Sequence, residues 1–371
     1  MTELPPEIHV AIIETLSVHD EDDRKTLLSL LVVSRYWNSL APPKLYRDVS
    51  INFIRRRSNP HHVDKLKSLL RAGGPNPGWQ FTTSMVLRAQ EDFFNKHRDG
   101  AVIGLMQGLI PFLHNVRRLR LCLKDPPVDA QILLSLPPRA PLTHLTLKNC
   151  SLCAEDIVRL LSARPTLRWL VLYSSGSHGP SRDIRLHAGA LPCLRYLAVS
   201  ILQVISFDKP LPSLVCLEMR HPSSTYMPPD RIYRALPYFT SIVACSLVNF
   251  PSLNISEVLP QLPNLKYLGR QTFLEPSFDY SILSATKLTY LLSFARHAVA
   301  TMIGPNVFQF VESMVVVDVN MPSHTLARMY HGVIHYPEYR RAGDWNAWWE
   351  EAKRAVEFVN QLSTARSADH L

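Results

Sequence analysis

Glycine is scarce, at 13 of 371 residues, and nowhere forms a G-x-G-x-x-G or G-x-x-x-x-G-K-[ST] string. A phosphate-cradling loop needs such glycines so that the backbone can close on the ligand, and the chain therefore offers no dinucleotide or nucleoside-triphosphate fingerprint. A nucleophile elbow and a zinc-helix pair are missing too; the Ser and His of the stretch from Ser174 to Ser181 lack the strand-to-helix setting that a nucleophile turn requires. Long apolar runs are also lacking. The longest uncharged stretch, Leu236 to Ile255, is interrupted by Pro237, Asn249, Pro251 and Asn254 and reads as strand and loop, so no membrane-spanning helix is expected. Cysteines number six and lie scattered through apolar segments, as reduced thiols do. Only Cys150 and Cys153 form a C-x-x-C pair, without a second pair or histidines at ligand spacing, so no metal and no cofactor is expected. The first ten residues carry acids where a secretory leader needs a basic start, which predicts an intracellular protein, cytoplasmic or nuclear.

What the chain has is proline, 29 residues, and 46% hydrophobic content, the composition of many short elements around a sizeable core. Its +9 charge is unevenly spread: residues 1–48 hold eight acids and five bases, and the remainder carries the positive surplus. Basic clusters at Arg55 to Arg57, at Arg117, Arg118 and Arg120, and at Arg340 and Arg341 could serve an acidic protein or a nucleic acid. They lie far apart and lack interleaved aromatics, so solvated faces are the expectation and nucleic acid is not.

The first fifty residues read as a helical module. Proline at Pro5 and Pro6 suits a first helical turn, and Glu7 complements the positive end of the helix dipole. Ile8, Ile12, Ile13 and Leu16 form the apolar side of this helix. Asp20 to Asp23 offer N-caps for a second helix, in which Leu27, Leu30, Val33, Trp37 and Leu40 recur at helical spacing, with a break expected near Ser34. The string Leu4-Pro5-x-Glu7-Ile8, then Ile12 and Leu16, then Leu30 and Val33-Ser34-Arg35-x-Trp37, resembles the F-box motif, with Ser34 where a cysteine is common and a somewhat long acidic loop. The resemblance implies a three-helix module that docks on a Skp-family adaptor and through it a cullin. It also implies that Leu4, Pro5, Glu7, Ile8, Ile12, Leu16, Leu30, Val33, Ser34 and Trp37 make or support the docking surface. The other reading of these residues is a helical hairpin whose apolar side is sealed against the chain's own repeats.

Behind this module runs an internal period. The strand pattern L-x-x-L-x-L starts at Val116, Leu142, Leu167, Leu194, Leu214, Phe239, Leu265, Leu288 and Val311, at spacings of 26, 25, 27, 20, 25, 26, 23 and 23 residues. Such spacing is that of leucine-rich repeats, in which neighbouring units bury each other's leucines. Irregular first copies start at Tyr46 and Thr82. Short helices are predicted between strands at Asp129 to Leu136, Ala154 to Ser162, Asp230 to Leu236 and Pro322 to Tyr330, another near Val63 to Leu70, and a capping helix from Asp344 to about Leu362. The expected fold is α/β: a three-helix F-box-like module over 1–48, irregular first repeats over 49–110, a leucine-rich-repeat solenoid over 111–335 with its parallel β-sheet on the concave face, and a capping helix and tail over 336–371. The whole resembles F-box proteins with degenerate repeats such as fungi carry.

Side chains alternate across a strand, so the third and fifth positions of each unit face away from the patterned leucines. The third positions read Arg118, His144, Trp169, Tyr196, Cys216, Ser241, Tyr267, Tyr290 and Ser313. Trp169, Tyr173 and Tyr196 are expected to form an aromatic patch, with Arg118, Arg120, His144 and Lys148 beside it, that binds an unknown target protein. The alternative is that these rings lie under a loop such as Ser174 to Arg182. The function implied is target recognition in a Skp-cullin-F-box type ubiquitin ligase, without catalysis, by a monomer within the complex; a repeat scaffold binding protein or RNA is the alternative.

Overall fold

A computed structural model describes residues 5–18, 20–53, 77–89, 106–122, 130–148, 154–173, 184–200, 205–220, 230–248, 254–273, 290–295, 313–318, 326–330 and 333–335. The predicted helices near Val63 to Leu70 and from Asp344 to Leu362, the Cys150–Cys153 pair and the loop from Ser174 to Arg182 lie outside them. The described residues up to Leu167 form one compact unit and those from Arg168 onward a second. No helix among them is long and apolar enough to cross a membrane.

The first unit opens with three helices, α1 (Pro6–Thr15), α2 (Glu21–Val33) and α3 (Arg35–Leu45). Each boundary has a local cause. Pro6 stands in the first turn of α1. Asp20 caps α2 through Oδ1, which accepts from the Asp22 and Asp23 amides at 3.0 and 3.1 Å. Ser34 is extended between α2 and α3, and its hydroxyl accepts from the Trp37 amide at 3.3 Å, so the break expected there is a cap. Ile13, Leu27 and Ala41 form the core between these helices, ringed by partly buried Leu16, Leu30, Trp37 and Leu40.

The chain passes directly from α3 into strand β1 (Asp48–Phe53), which pairs in parallel with β2 (Ser84–Ala89), as β2 does with β3 (Arg118–Cys122) and β3 with β4 (His144–Lys148). Tyr46, at the end of α3, packs edge-on against Trp79, ring centroids 5.9 Å apart, and a Cβ on Gly78 would meet the Tyr46 ring at 2.6 Å. Only glycine lets that turn approach so closely. Between β3 and β4 lies helix α4 (Ala130–Leu134), and α5 (Ala154–Ser162) follows β4 with the boundaries its periodicity predicts. Arg164 is buried, and its guanidinium donates to the carbonyls of Leu136, Pro137 and Pro138 at 2.7 to 2.8 Å, fixing the turn after α4; burial holds its pKa below the ordinary arginine value.

In the second unit the parallel strands run in the order β5 (Trp169–Tyr173), β7 (Tyr196–Ser200), β9 (Cys216–Arg220), β10 (Ala244–Val248), β11 (Tyr267–Phe273), β12 (Tyr290–Ala295) and β13 (Ser313–Asp318). Strands β6 (Ile184–Leu186) and β8 (Ile205–Phe207) form a separate parallel pair. Helix α6 (Asp230–Ala235) runs into a 3-10 turn at Leu236–Phe239, and the short helix α7 (Ile255–Val258) precedes β11.

The patterned leucines behave as the period requires. Leu119, Leu121, Leu145, Leu147, Leu170, Leu197 and Leu217 are buried, each stabilising by roughly 1.5–3 kcal/mol. Main chain reinforces the register between successive strands. The carbonyl just before a strand accepts two successive amides from the next unit: Arg117 from Thr143 and His144 at 2.8 and 2.9 Å, Arg195 from Val215 and Cys216 at 2.9 and 3.0 Å, Val215 from Val243 and Ala244 at 2.8 and 3.1 Å. Hydroxyls immediately before the first apolar position also tie units together, Thr166 donating to the Leu142 carbonyl, Ser213 to Leu194 and Ser241 to Leu214.

Two expectations require correction. The sixth unit starts at Ile242, since Ala244 pairs with Cys216 and Cys245 with Leu217; its inward positions are Ile242, Cys245 and Leu247, and its third position is Ala244, with Ser241 serving as the hydroxyl tie. Phe239 belongs instead to the 3-10 turn, where it is buried. The helix predicted at Pro322 to Tyr330 is strand β14 (Leu326–Tyr330), antiparallel to β13 and followed by β15 (Val333–His335).

Candidate functional site

In the head, the sequence places Ile8, Ile12, Ile13 and Leu16 on one helical side, but the fold divides them. Ile13 enters the core and Leu16 borders it, whereas Ile8 and Ile12 are 45% and 41% exposed, so α1 does not bury its whole apolar side. Val32 and Val33, where α2 ends, are 85% and 64% exposed, and Tyr36 at the start of α3 is 41% exposed. Val33 therefore does not bury against α1, although its place in the helical stripe predicts that it should. His9 joins the two sides: its ring meets Tyr36 edge-on at 5.3 Å and lies 4.8 Å from the Trp37 ring. The head thus closes a core around Ile13, Leu27 and Ala41 and leaves Ile8, Val10, Ile12, Leu28, Val32, Val33 and Tyr36 exposed.

Of the residues singled out for docking, Pro5, Glu7, Ile8, Ile12 and Val33 are exposed, Leu30 and Trp37 are half-buried around the core, and Ser34 caps a helix; Leu4 lies outside the described residues. Val32, Tyr36 and His9 were not singled out. Their signal is the doubled valine, where a helical stripe needs only one, and a tyrosine beside the half-buried Trp37.

On the repeat sheet, β3 and β4 of the first unit carry polar or basic residues at their outward positions. Arg118 and Arg120 are exposed between the buried Leu119 and Leu121, and His144, Thr146 and Lys148 are half-buried on β4. The second unit differs. Tyr196 is 4% exposed, and Val171, Ala198, Cys216 and Ala244 are buried with it in a second apolar cluster, against which Trp169, Tyr173 and Tyr267 pack. Trp169 and Tyr196 stack, ring centroids 3.6 Å apart. Tyr196 therefore offers no surface to a target, and its placement among target-binding groups is corrected: the outward positions of β7 and β9 are core.

At the centre of that cluster lies a carboxylate, Glu218, 2% exposed. Tyr196 Oη donates to its Oε2 at 2.5 Å, and Tyr173 Oη and Arg220 Nε donate to its Oε1 at 2.8 and 2.5 Å. The Arg220 guanidinium also sits 4.9 Å from the centroid of the Tyr173 ring. Burial alone would push the Glu218 carboxyl up, but the charge of Arg220 and the three donated hydrogen bonds hold it below the ordinary glutamate value. Burial, followed by the nearby carboxylate, pushes the Tyr173 hydroxyl up. Neither Glu218 nor Arg220 was among the sequence candidates; the signal is an acid and a base two apart in a strand, hence on one face, beside aromatic third positions.

Among the described residues no group of three or more histidine, cysteine or acidic side chains could hold a metal ion. Residues 1–52 match the family model described as F-box-like. No curated protein matches the chain. Among solved structures, it is similar to the leucine-rich repeat-containing protein LegL7 from Legionella pneumophila, at 14% identity over 75% of this chain and 94% of that one, with a TM-score of 0.37. The chain accordingly carries an F-box-like domain at residues 1–52, followed by leucine-rich-repeat-like strand units, the build of a protein-interaction molecule.

Proposed function

We propose that this chain is the target-recognition subunit of a Skp-cullin-F-box type ubiquitin ligase. The observation that carries the reading is the set of apolar side chains the head leaves uncovered: Ile8, Ile12, Val32, Val33 and Tyr36 stay exposed while Ile13, Leu27 and Ala41 close a core. In the family the head resembles, exposed apolar groups of the module dock on a Skp-family adaptor, which links it to a cullin. The repeat surface then holds a target protein, and the ligase gains rate by raising the local concentration of target lysines near transferred ubiquitin, with no catalytic group supplied by this chain. The direct passage from α3 into β1, locked by Tyr46 against Gly78 and Trp79, supports this role, since a fixed junction sets where a target is presented. Free thiols at Cys122, Cys193, Cys216 and Cys245 support a reducing compartment, cytoplasm or nucleus.

The test is capture of a Skp-family adaptor by the full-length chain. Ile8→Asp combined with Ile12→Asp is expected to weaken capture about a hundredfold or more, because two contact groups become charged, while thermal stability holds because both side chains already face solvent. Undiminished capture by the folded double variant, or no capture by the original chain, would reject the ligase role and leave a repeat scaffold.

A further inference from the structure

Within the first unit, a cleft of about 740 Å³ opens between the turn that follows α1 and the N-terminal ends of β1, β2 and β3. Its size lies within the usual range of ligand pockets, about 300–1,000 Å³. Four cations line it, Lys44, Arg47, Arg117 and Arg118, against two carboxylates, Glu14 and Asp48. One carboxylate is already engaged: Lys44 Nζ lies 3.0 Å from Glu14 Oε2 and also donates to the Glu14 carbonyl at 2.9 Å, with Arg47 at 3.9 Å from the same carboxylate oxygen. Arg117 and Arg118, both exposed, make no ion pair or side-chain hydrogen bond among the described residues. Their main chains are committed, since both amides donate to the Thr83 carbonyl, so the points from which the two side chains leave are fixed.

We propose that this cleft binds a carboxylate-rich segment of the target protein, the two arginine forks taking its acidic side chains. The inference rests on the reading of the repeat surface as target-binding and adds the chemistry of the target and the place where it is held. Guanidinium groups match carboxylate pairs bidentately, and a fork that is not already engaged gives up no internal ion pair when it binds. The cleft shares Arg118 with the outward face of β3, on which the exposed Arg120 follows, so a segment anchored at Arg118 finds complementary charge along the strand. A nucleic acid fits less well. None of the lining side chains is aromatic, so bases find no stacking platform, and Asp48 would face an unbroken run of phosphates, whereas a peptide spaces its acids among neutral groups.

The test selects from a displayed library of random peptides, each of about twelve residues, on the full-length chain, followed by fluorescence anisotropy with the selected peptides. The expected result is enrichment in aspartate and glutamate, binding that weakens as salt rises, and a loss of about tenfold or more in Arg117→Glu combined with Arg118→Glu. The pair Arg117→Gln and Arg118→Gln, which removes charge without reversing it, is expected to fall between; circular dichroism verifies that both variants are folded. Selection without acidic enrichment, equal binding by the folded reversal variant, or displacement of the peptide by less of a single-stranded polyuridine than of the peptide itself would each overturn the proposal. Adaptor capture by the Ile8→Asp, Ile12→Asp variant reads the ligase role separately, so failure there leaves the peptide result standing, and the reverse also holds.

Discussion

The two units of the repeat region use one strand pattern and reach opposite outcomes on the face that the pattern leaves unspecified. In the first, the third and fifth positions are Arg118, Arg120, His144 and Thr146, exposed or half-buried, and alternation with the leucines is clean. In the second, Val171, Tyr196, Ala198, Cys216 and Ala244 bury that face too, and the polar side chains buried on β7, β9 and β10 are Ser200, Glu218 and Ser246. The L-x-x-L-x-L period therefore fixes one side of a solenoid strand and leaves the other free to become recognition surface or a second core.

That contrast can be broken most sharply at Glu218. Replacing it with Ala removes the acceptor shared by Tyr173, Tyr196 and Arg220 and orphans a partly buried cation; the expected loss is about 3 kcal/mol, read as a fall in the denaturation midpoint. A fall of less than about 1 kcal/mol would mean that the second face is not a cooperative core. Next comes Tyr196→Phe, which keeps the stacking on Trp169 and deletes one hydrogen bond to a charged group, for an expected loss of about 2 kcal/mol. Because the folded Glu218 titrates below its ordinary value of 4.5, the stability it contributes is complete above that pH and fades as acid is added below it. Glu218→Gln should flatten that part of the stability profile, and an unchanged acid limb would show that the carboxylate is not the group titrating. Smallest of all, Arg118→Ala or Arg120→Ala in the open face should change stability by no more than about 0.5 kcal/mol. A larger loss from either would mean that the basic face, too, is part of a core.

The sequence made the strand ladder legible because its signal is local: leucines at fixed offsets occupy the inward side whatever stands opposite. It misplaced the sixth unit because Phe239-Ile242-Ala244 and Ile242-Cys245-Leu247 satisfy the same offsets, and the more bulky triplet looks better until Ala244 is paired with Cys216. It turned β14 into a helix because Pro322 opens a stretch with helix-like spacing, whereas pairing with β13 decides otherwise. The head was legible in its caps, Asp20 and Ser34, and in its core residue Leu27. Which of Ile8, Ile12 and Ile13 would stay outside was not, since helical spacing groups them without saying which has an internal neighbour. The Glu218 network was hidden for a further reason: its members come from three strands, and no one segment contains enough of them to show a pattern.

The carbonyl that accepts two amides from the next unit asks nothing of any side chain. A repeat can thus drift far from consensus, as at Arg270, and still be clamped to its neighbour by atoms every amino acid carries, the Val243 carbonyl taking the Lys266 and Tyr267 amides. Mutation is free to rewrite the outward face, and selection can exchange one quarry for another without first rebuilding the frame that presents it.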